Sequence, residues 1–259
     1  MIPSMTLEIM RKILNPNRNF YPEVINSDYI FNGVAVPRVT AILSDMLHED
    51  GLMGWSNYIG LVKRQKYKDV LDEAANKGTY VHNAIEEYLQ NGGQLNSNEV
   101  PDAYREQVYT AWTSFLCWWD LISKFNKVEI LMQEQPLVCE YYGGTLDLLL
   151  KINEKVVLVD FKTSNHLSYK YLIQLSAYKH MLKQIHNIDV DAVLVLRLDK
   201  NVCDFEEIML RMDDEEDAEL LSHCLTCFHS LVIGYYERKY IENQFKERMR
   251  IVCGDRENT

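Results

Sequence analysis

No apolar run in this chain approaches the ~20 residues that a membrane-spanning helix needs, so no membrane contact is expected. No signal-peptide pattern opens it, and Glu8 sits alongside the basic residues Arg11, Lys12 and Arg18, short of a transit-peptide composition. Repeats, low-complexity tracts and recognisable linkers are all missing, which leaves residues 1–259 as a single expected domain. The six cysteines, at 117, 139, 203, 224, 227 and 253, lack the spacing of a disulfide framework and point to a reducing compartment. Positive charge is also in short supply: 27 Lys and Arg stand against 38 Asp and Glu, a net charge of −11. That balance argues against a general nucleic-acid coat protein. It leaves room for an enzyme whose phosphate contacts come from a local basic patch or bound cations.

The composition, 47% hydrophobic and 25% charged, is that of an ordinary globular protein. Its most informative stretch is Gly143 to Ser164, GGTLDLLLKINEKVVLVDFKTS, two apolar runs around Asn153-Glu154-Lys155 that read as an antiparallel hairpin. Asp147 is the one acidic residue of the first run, and Asp160 and Lys162 break the apolar pattern of the second. Strand side chains alternate, so Asp160 and Lys162 share a face. If Asn153 and Glu154 form the loop, Ile152 pairs with Lys155 and Asp147 falls opposite Asp160. Charges among valines and leucines are costly unless paired or bound to a metal. Two readings therefore stand side by side: a structural Asp–Lys pair at a strand end, or a site for hard divalent cations.

Flanking residues add a resemblance. Gly143-Gly144-Thr145-Leu146-Asp147 followed by Val159-Asp160-Phe161-Lys162-Thr163-Ser164 resembles the core of the PD-(D/E)xK nucleases, in particular the RecB-like branch, although no proline precedes Asp147. Gly78-Thr79-Tyr80-Val81-His82 is similar to the branch's helical G-x-x-x-H motif, and Gln174 to Tyr178 to its Q-x-x-x-Y motif. The segment Val36 to Leu43, with Gly51, Leu52 and Trp55, resembles the N-terminal part of phage exonucleases and of the mitochondrial genome maintenance exonuclease.

The resemblance implies a restriction-endonuclease-like α/β core, a mixed central sheet flanked by helices (residues 126–259), behind a mainly helical part (residues 1–125) with the His motif. It implies a DNA exonuclease dependent on one or two Mg²⁺ or Mn²⁺ ions, acting on single strands in preference to duplex, in the cytoplasm of a bacterial or phage-infected cell rather than in a mitochondrion. Asp147, Asp160 and Lys162 are then catalytic. His82, Asp147, Asp160 and the Phe161 carbonyl are metal ligands, with Glu86, one turn beyond His82, in the outer shell or on a second ion. Tyr171, Gln174 and Tyr178 fall on one helical stripe. Gln174 and Tyr178 would orient Lys162 or hold the substrate backbone, Thr163 and Ser164 would hold substrate, and Glu134 would border the site. Relatives with an iron–sulfur cluster place one cysteine before the core; here no cysteine precedes His82, and no cluster is expected. Two alternatives remain: an endonuclease on the same core, and a catalytically silent binding module.

Elsewhere, Asn32-Gly33 is a strong hairpin signal, and helical periodicity runs from about Leu52 to Leu89 with breaks near Gly60 and Gly78. The run Lys63, Arg64, Lys66 and Lys68 is the most basic stretch, read either as a solvated face or as a phosphate-tracking strip. A helix is expected from Pro101 to Phe125 with a tryptophan-rich core face, then a strand from Val128 to Leu137. After the central hairpin come a helix from Ser168 to His186, a second hairpin over Asp191–Arg211 and a helix from Asp213 to about Tyr240. On that last helix, Leu220, Leu221, Cys224, Cys227, Phe228, Leu231 and Tyr235 form one expected core face, so the Cys224/Cys227 pair reads as packing rather than metal binding.

Overall fold

A computed structural model of the chain describes residue 14 and residues 27–47, 52–96 and 98–254. Its centre is a five-stranded sheet in the order β3 (Val128–Val138), β4 (Gly143–Ile152), β5 (Lys155–Lys162), β6 (Ala192–Leu198) and β7 (Phe205–Arg211). Neighbours are antiparallel except β5 and β6, which run parallel and are joined through a helix. A short hairpin, β1 (Ile30–Phe31) and β2 (Val34–Ala35), turns at Asn32-Gly33, both with positive φ as a two-residue turn requires.

Six helices accompany the sheet among the described residues: α1 (Val39–Met46), α2 (Leu52–Leu61), α3 (Tyr67–Asn91), α4 (Asp102–Phe125), α5 (Tyr169–His186) and α6 (Glu215–Gly254). None of them is long and apolar enough to cross a membrane. They divide into two layers because the sheet is apolar on both faces. Leu149, Leu158, Val193 and Val195 pack with α1, α5 and α6. Leu148, Leu150, Val157, Val159 and Leu194 pack with Val81 and Ile85 of α3 and with Trp112, Phe115 and Trp118 of α4. The chain is thus of mixed α/β class, and the tryptophan cluster is core.

The helical region from Leu52 breaks once, at the exposed turn 62–66, and not at Gly78. Gly78 is tolerated inside α3 because Thr163 Oγ1 would lie only 3.2 Å from a Cβ there, so the helix gains closeness to β5 in exchange for glycine's flexibility. Gly92 closes α3 with φ +67, a left-handed C-cap of the kind glycine adopts readily. The last helix extends to Gly254, beyond the expected Tyr240. Of its expected core face, Leu221, Phe228 and Tyr235 are buried and Cys224, Cys227 and Leu231 half-buried, but Leu220 is 46% exposed, since it lies a residue off the row through Leu221, Phe228 and Val232.

Between α5 and α6, the rings of His180 and His229 stand 5.0 Å apart. The Nε2 of His180 has no hydrogen-bond partner among the described residues. Burial, helped by His229, pushes the His180 imidazole down to about 4. The unfolded chain therefore takes up this proton first, so the stability contribution is complete above the ordinary imidazole value and is lost as pH falls toward about 4. Relative to wild type, His180→Leu should lose less stability as pH falls from about 7 to about 5, because the variant lacks the proton uptake on unfolding that His180 adds. Equal slopes in thermal melts of the two proteins would refute this assignment.

Candidate functional site

The candidate site lies where β4 and β5 part. Their backbone pairing starts at Ile152–Lys155 and runs to Leu148–Val159. One step further, a side chain replaces the ladder: Asp147 Oδ2 accepts the Phe161 N–H at 2.7 Å. The Phe161 carbonyl leaves its strand by the same edge as this N–H and so faces the same gap.

Strand alternation also fails here. Leu148 and Leu150 join the α3/α4 core and Leu149 the opposite one, but Leu146 packs with Leu149 rather than with Leu148. Across the sheet, β3 pairs Gln133 with Leu148 and Gln135 with Leu146, and between them Glu134 adopts φ +43. A left-handed glutamate costs about 1–2 kcal/mol, and such strain clusters at functional positions.

The two irregularities release two carboxylates toward His82 on α3. His82 Nδ1 is 3.7 Å from Asp147 Oδ1 and 3.9 Å from Glu134 Oε1. One ligand atom from each of the three lies within 4.8 Å of the others, and all three residues are half-buried. Ligands at roughly 2.0–2.2 Å from a small divalent cation stand about 3–4 Å from one another, so this donor set fits such an ion. Two carboxylates and an imidazole also suit Mg²⁺ or Mn²⁺ by type. Burial alone would lower the His82 imidazole, but Asp147 and Glu134 outweigh it and hold it above its ordinary value. The Phe161 ring meets His82 edge-on at 6.0 Å between centroids, which helps seat the imidazole.

Asp160 is engaged differently. It is 1% exposed, and its Oδ1 accepts from Lys162 Nζ at 2.9 Å and from Gln174 Nε2 at 3.0 Å. Its Oδ2 lies 2.7 Å from the same ammonium. Burial pushes the Asp160 carboxyl up to about 6; Lys162 opposes that shift and the nearby Asp147 adds to it. Burial would lower Lys162, yet Asp160 and Asp147 prevail and raise it, so the ammonium stays charged.

Gln174 ties this pair to α5. Its Oε1 accepts from Lys162 at 3.3 Å and its Nε2 also donates to Tyr178 Oη at 3.3 Å. The Tyr171 ring lies 4.9 Å below the ammonium. The stripe Tyr171, Gln174, Tyr178 is therefore a cradle for Lys162 and Asp160. The two glycines before Asp147 serve close approach: a Cβ on Gly144 would come within 2.6 Å of Tyr178 Cε1, and one on Gly143 within 2.7 Å of Tyr29.

The other sequence candidates divide. Glu86 accepts from Gln90 on its own helix at 3.0 Å, and the carboxylate that completes the His82 cluster is Glu134. Ser164 donates to the His166 carbonyl at 2.8 Å, while the Thr163 carbonyl accepts from Lys200 at 3.0 Å. Lys63, Arg64 and Lys66 occupy the exposed turn before α3, and Lys68 its exposed first turn. The roles of Tyr171 and Lys200 left no sequence signal beyond helical spacing for the first. Glu134 was legible only through the family resemblance.

No family model matches the chain, and no curated protein matches it. A solved structure described as "Crystal structure of SSO0001" is similar over 56% of this chain and 71% of that one, at 11% identity and a TM-score of 0.25. A likeness that slight carries no argument about fold or activity.

Two outcomes check this geometry. Gly144→Ala should cost about 1–3 kcal/mol through overpacking against Tyr178, and Tyr178→Leu should restore part of it. Denaturant titration of the single and double variants checks this; additive losses would show that the two residues do not meet. Glu134→Gly should leave the fold as stable as wild type or more so, because it removes the left-handed strain and one of two crowded carboxylates. Calorimetry on the same variant should show at least a tenfold loss of Mn²⁺ affinity (~1.4 kcal/mol), whereas Glu86→Gln should bind normally.

Proposed function

We propose that this chain is a divalent-metal-dependent deoxyribonuclease of the PD-(D/E)xK type, hydrolysing phosphodiester bonds at DNA ends and acting on single strands in preference to duplex. The observation that carries this reading is the meeting of His82, Glu134 and Asp147 beside the buried Asp160–Lys162 pair, where β4 and β5 part. A structural Asp–Lys pair accounts for Asp160 and Lys162 alone. It does not account for two further carboxylates and an imidazole turned toward the same opening, one of them from a left-handed backbone.

His82, Glu134 and Asp147 would hold Mg²⁺ or Mn²⁺, with the Phe161 carbonyl facing the same gap. Bound there, the ion would act as a Lewis acid on the scissile phosphate and as a source of hydroxide from water near neutral pH. Lys162, charged and held by Asp160, Gln174 and Tyr171, would orient the attacking water or neutralise charge developing on the phosphate. Asp160 fixes Lys162 and supplies negative potential beside the cluster. The exposed basic turn 63–66 enters the helix that carries His82, so phosphates drawn to it lie on the site's own scaffold. That local patch answers the net charge of −11.

Digestion of end-labelled single- and double-stranded DNA, with closed circles as control, tests the proposal. Cleavage should need Mg²⁺ or Mn²⁺, stop in EDTA and spare closed circles; cutting of circles would reassign it as an endonuclease. Asp147→Ala, Asp160→Ala and Lys162→Ala should each lower the rate by on the order of 10²–10³-fold or more. Wild-type rates in any of the three would remove the mechanism. Neutralising Lys63, Arg64, Lys66 and Lys68 together should weaken DNA binding and flatten its salt dependence by roughly 0.7 in slope per lost phosphate contact. An unchanged slope would return the run to a solvated turn.

A further inference from the structure

Two thiols far apart in sequence meet where α4 borders the loop between β6 and β7. Cys117 Sγ, on α4, and Cys203 Sγ, in the loop 199–204 between β6 and β7, are 3.6 Å apart, and both residues are exposed. Their closeness is held from both sides. One turn before Cys117, the Ser114 hydroxyl accepts the Asp204 N–H at 3.1 Å and contacts the Asp199 carbonyl at 3.1 Å. Immediately after it, Trp118 Nε1 donates to Glu207 Oε1 at 2.7 Å. The loop itself is wound tightly, with Asp199 Oδ1 accepting the N–H groups of Asn201 and Val202. Cys203 therefore sits between two fixed points, aligned on the α4 face that carries Cys117.

The other described cysteines are placed otherwise. Cys139 is buried and donates to the Tyr142 carbonyl. Cys224 and Cys227 are three residues apart on one helix, half-packed into the core, and bridging them would require unwinding that helix.

We propose that Cys117 and Cys203 are a redox-modification site, a dithiol that a hydroperoxide closes to a disulfide and a small dithiol reductant reopens. The step balances as follows. One thiolate attacks a peroxide oxygen, giving a sulfenic acid and releasing water once a proton is supplied. The second thiol then displaces that hydroxyl as water and closes the S–S bond. Two thiols lose two electrons and two protons, and one hydrogen peroxide becomes two waters. Burial and the neighbouring Cys117 hold the Cys203 thiol above its ordinary value, so closure is slow beside a dedicated peroxide sensor, which works through a lowered thiol. Its effect is mechanical: the bridge would close a long loop and pin the β6–β7 turn to α4. From that turn Lys200 reaches the Thr163 carbonyl at the end of β5.

The test uses the full chain treated with hydrogen peroxide, then alkylated and digested without reduction. The expected result is a linked peptide pair containing Cys117 and Cys203, two hydrogens lighter than the separate peptides, that dithiothreitol reverses. The melting temperature should rise by roughly 5–10 °C on oxidation and return on reduction. Cys117→Ser and Cys203→Ser should each melt as the reduced wild type does and lose the oxidation-dependent rise. Because neither residue belongs to the proposed metal site, Mn²⁺ affinity in both variants should equal that of wild type. The proposal is overturned if peroxide leaves both thiols alkylatable, links either to another cysteine or another chain, or forms the pair without raising the melting temperature.

Discussion

Ile152 faces Lys155 across a two-residue turn, and a slip of one position would exchange the faces of β5. Asp160 and Lys162 would then enter the layer of Phe115 and Trp118, out of reach of Gln174, while Val159 and Phe161 would turn toward α5. Asn153-Glu154 is a weak turn by composition, since both residues adopt positive φ (47° and 72°) and neither is glycine. Neighbours hold it. Asn153 accepts the Lys127 N–H at 2.9 Å and donates to Asn126 Oδ1 at 2.6 Å, so the loop before β3 grips the turn after β4. The register thus depends on a contact between segments more than twenty residues apart, and the site depends on the register.

Given that register, electrostatics divides the site into two halves. Asp160 is closed off with Lys162, and each keeps the other tolerable under burial. Breaking one member of such a pair is worse than never having had it, because a buried charge is left uncompensated. Asp147 and Glu134 are half-buried and share only an imidazole between them. The first half holds a charge in place and the second leaves room for one from outside; under the proposed function, these would be the lysine and the cation presented to one phosphate.

Much of this was legible in the sequence. Alternation and turn position gave the hairpin, its register from Ile152–Lys155 to Leu148–Val159 and the shared face of Asp160 and Lys162. They did not give the place of Asp147, which continued pairing would set opposite Asp160 and which lies beyond the last pair. Helical spacing gave the Tyr171–Gln174–Tyr178 stripe. What escaped was governed by tertiary contact. Gly78 reads as a helix breaker until Thr163 is packed against it. Glu134 reads as one polar residue among several in β3, because a positive φ at a non-glycine leaves no trace in composition. Glu86 shares a helix face with His82 by spacing, but the site opens toward β3, so a carboxylate from another element fills that place.

The single parallel pairing in the sheet has a consequence for how the chain reaches this state. β3, β4 and β5 are consecutive antiparallel neighbours and can zip together over short loops, whereas β6 can join only after α5 has crossed the sheet. Gln174 and Tyr171 arrive with that crossing. Until then Asp160 and Lys162 sit on an open edge in water, where their charges are screened and ordinary, and only the docking of α5 converts them into a buried pair. The functional geometry is therefore a late product of folding, reached in the same step that closes the sheet.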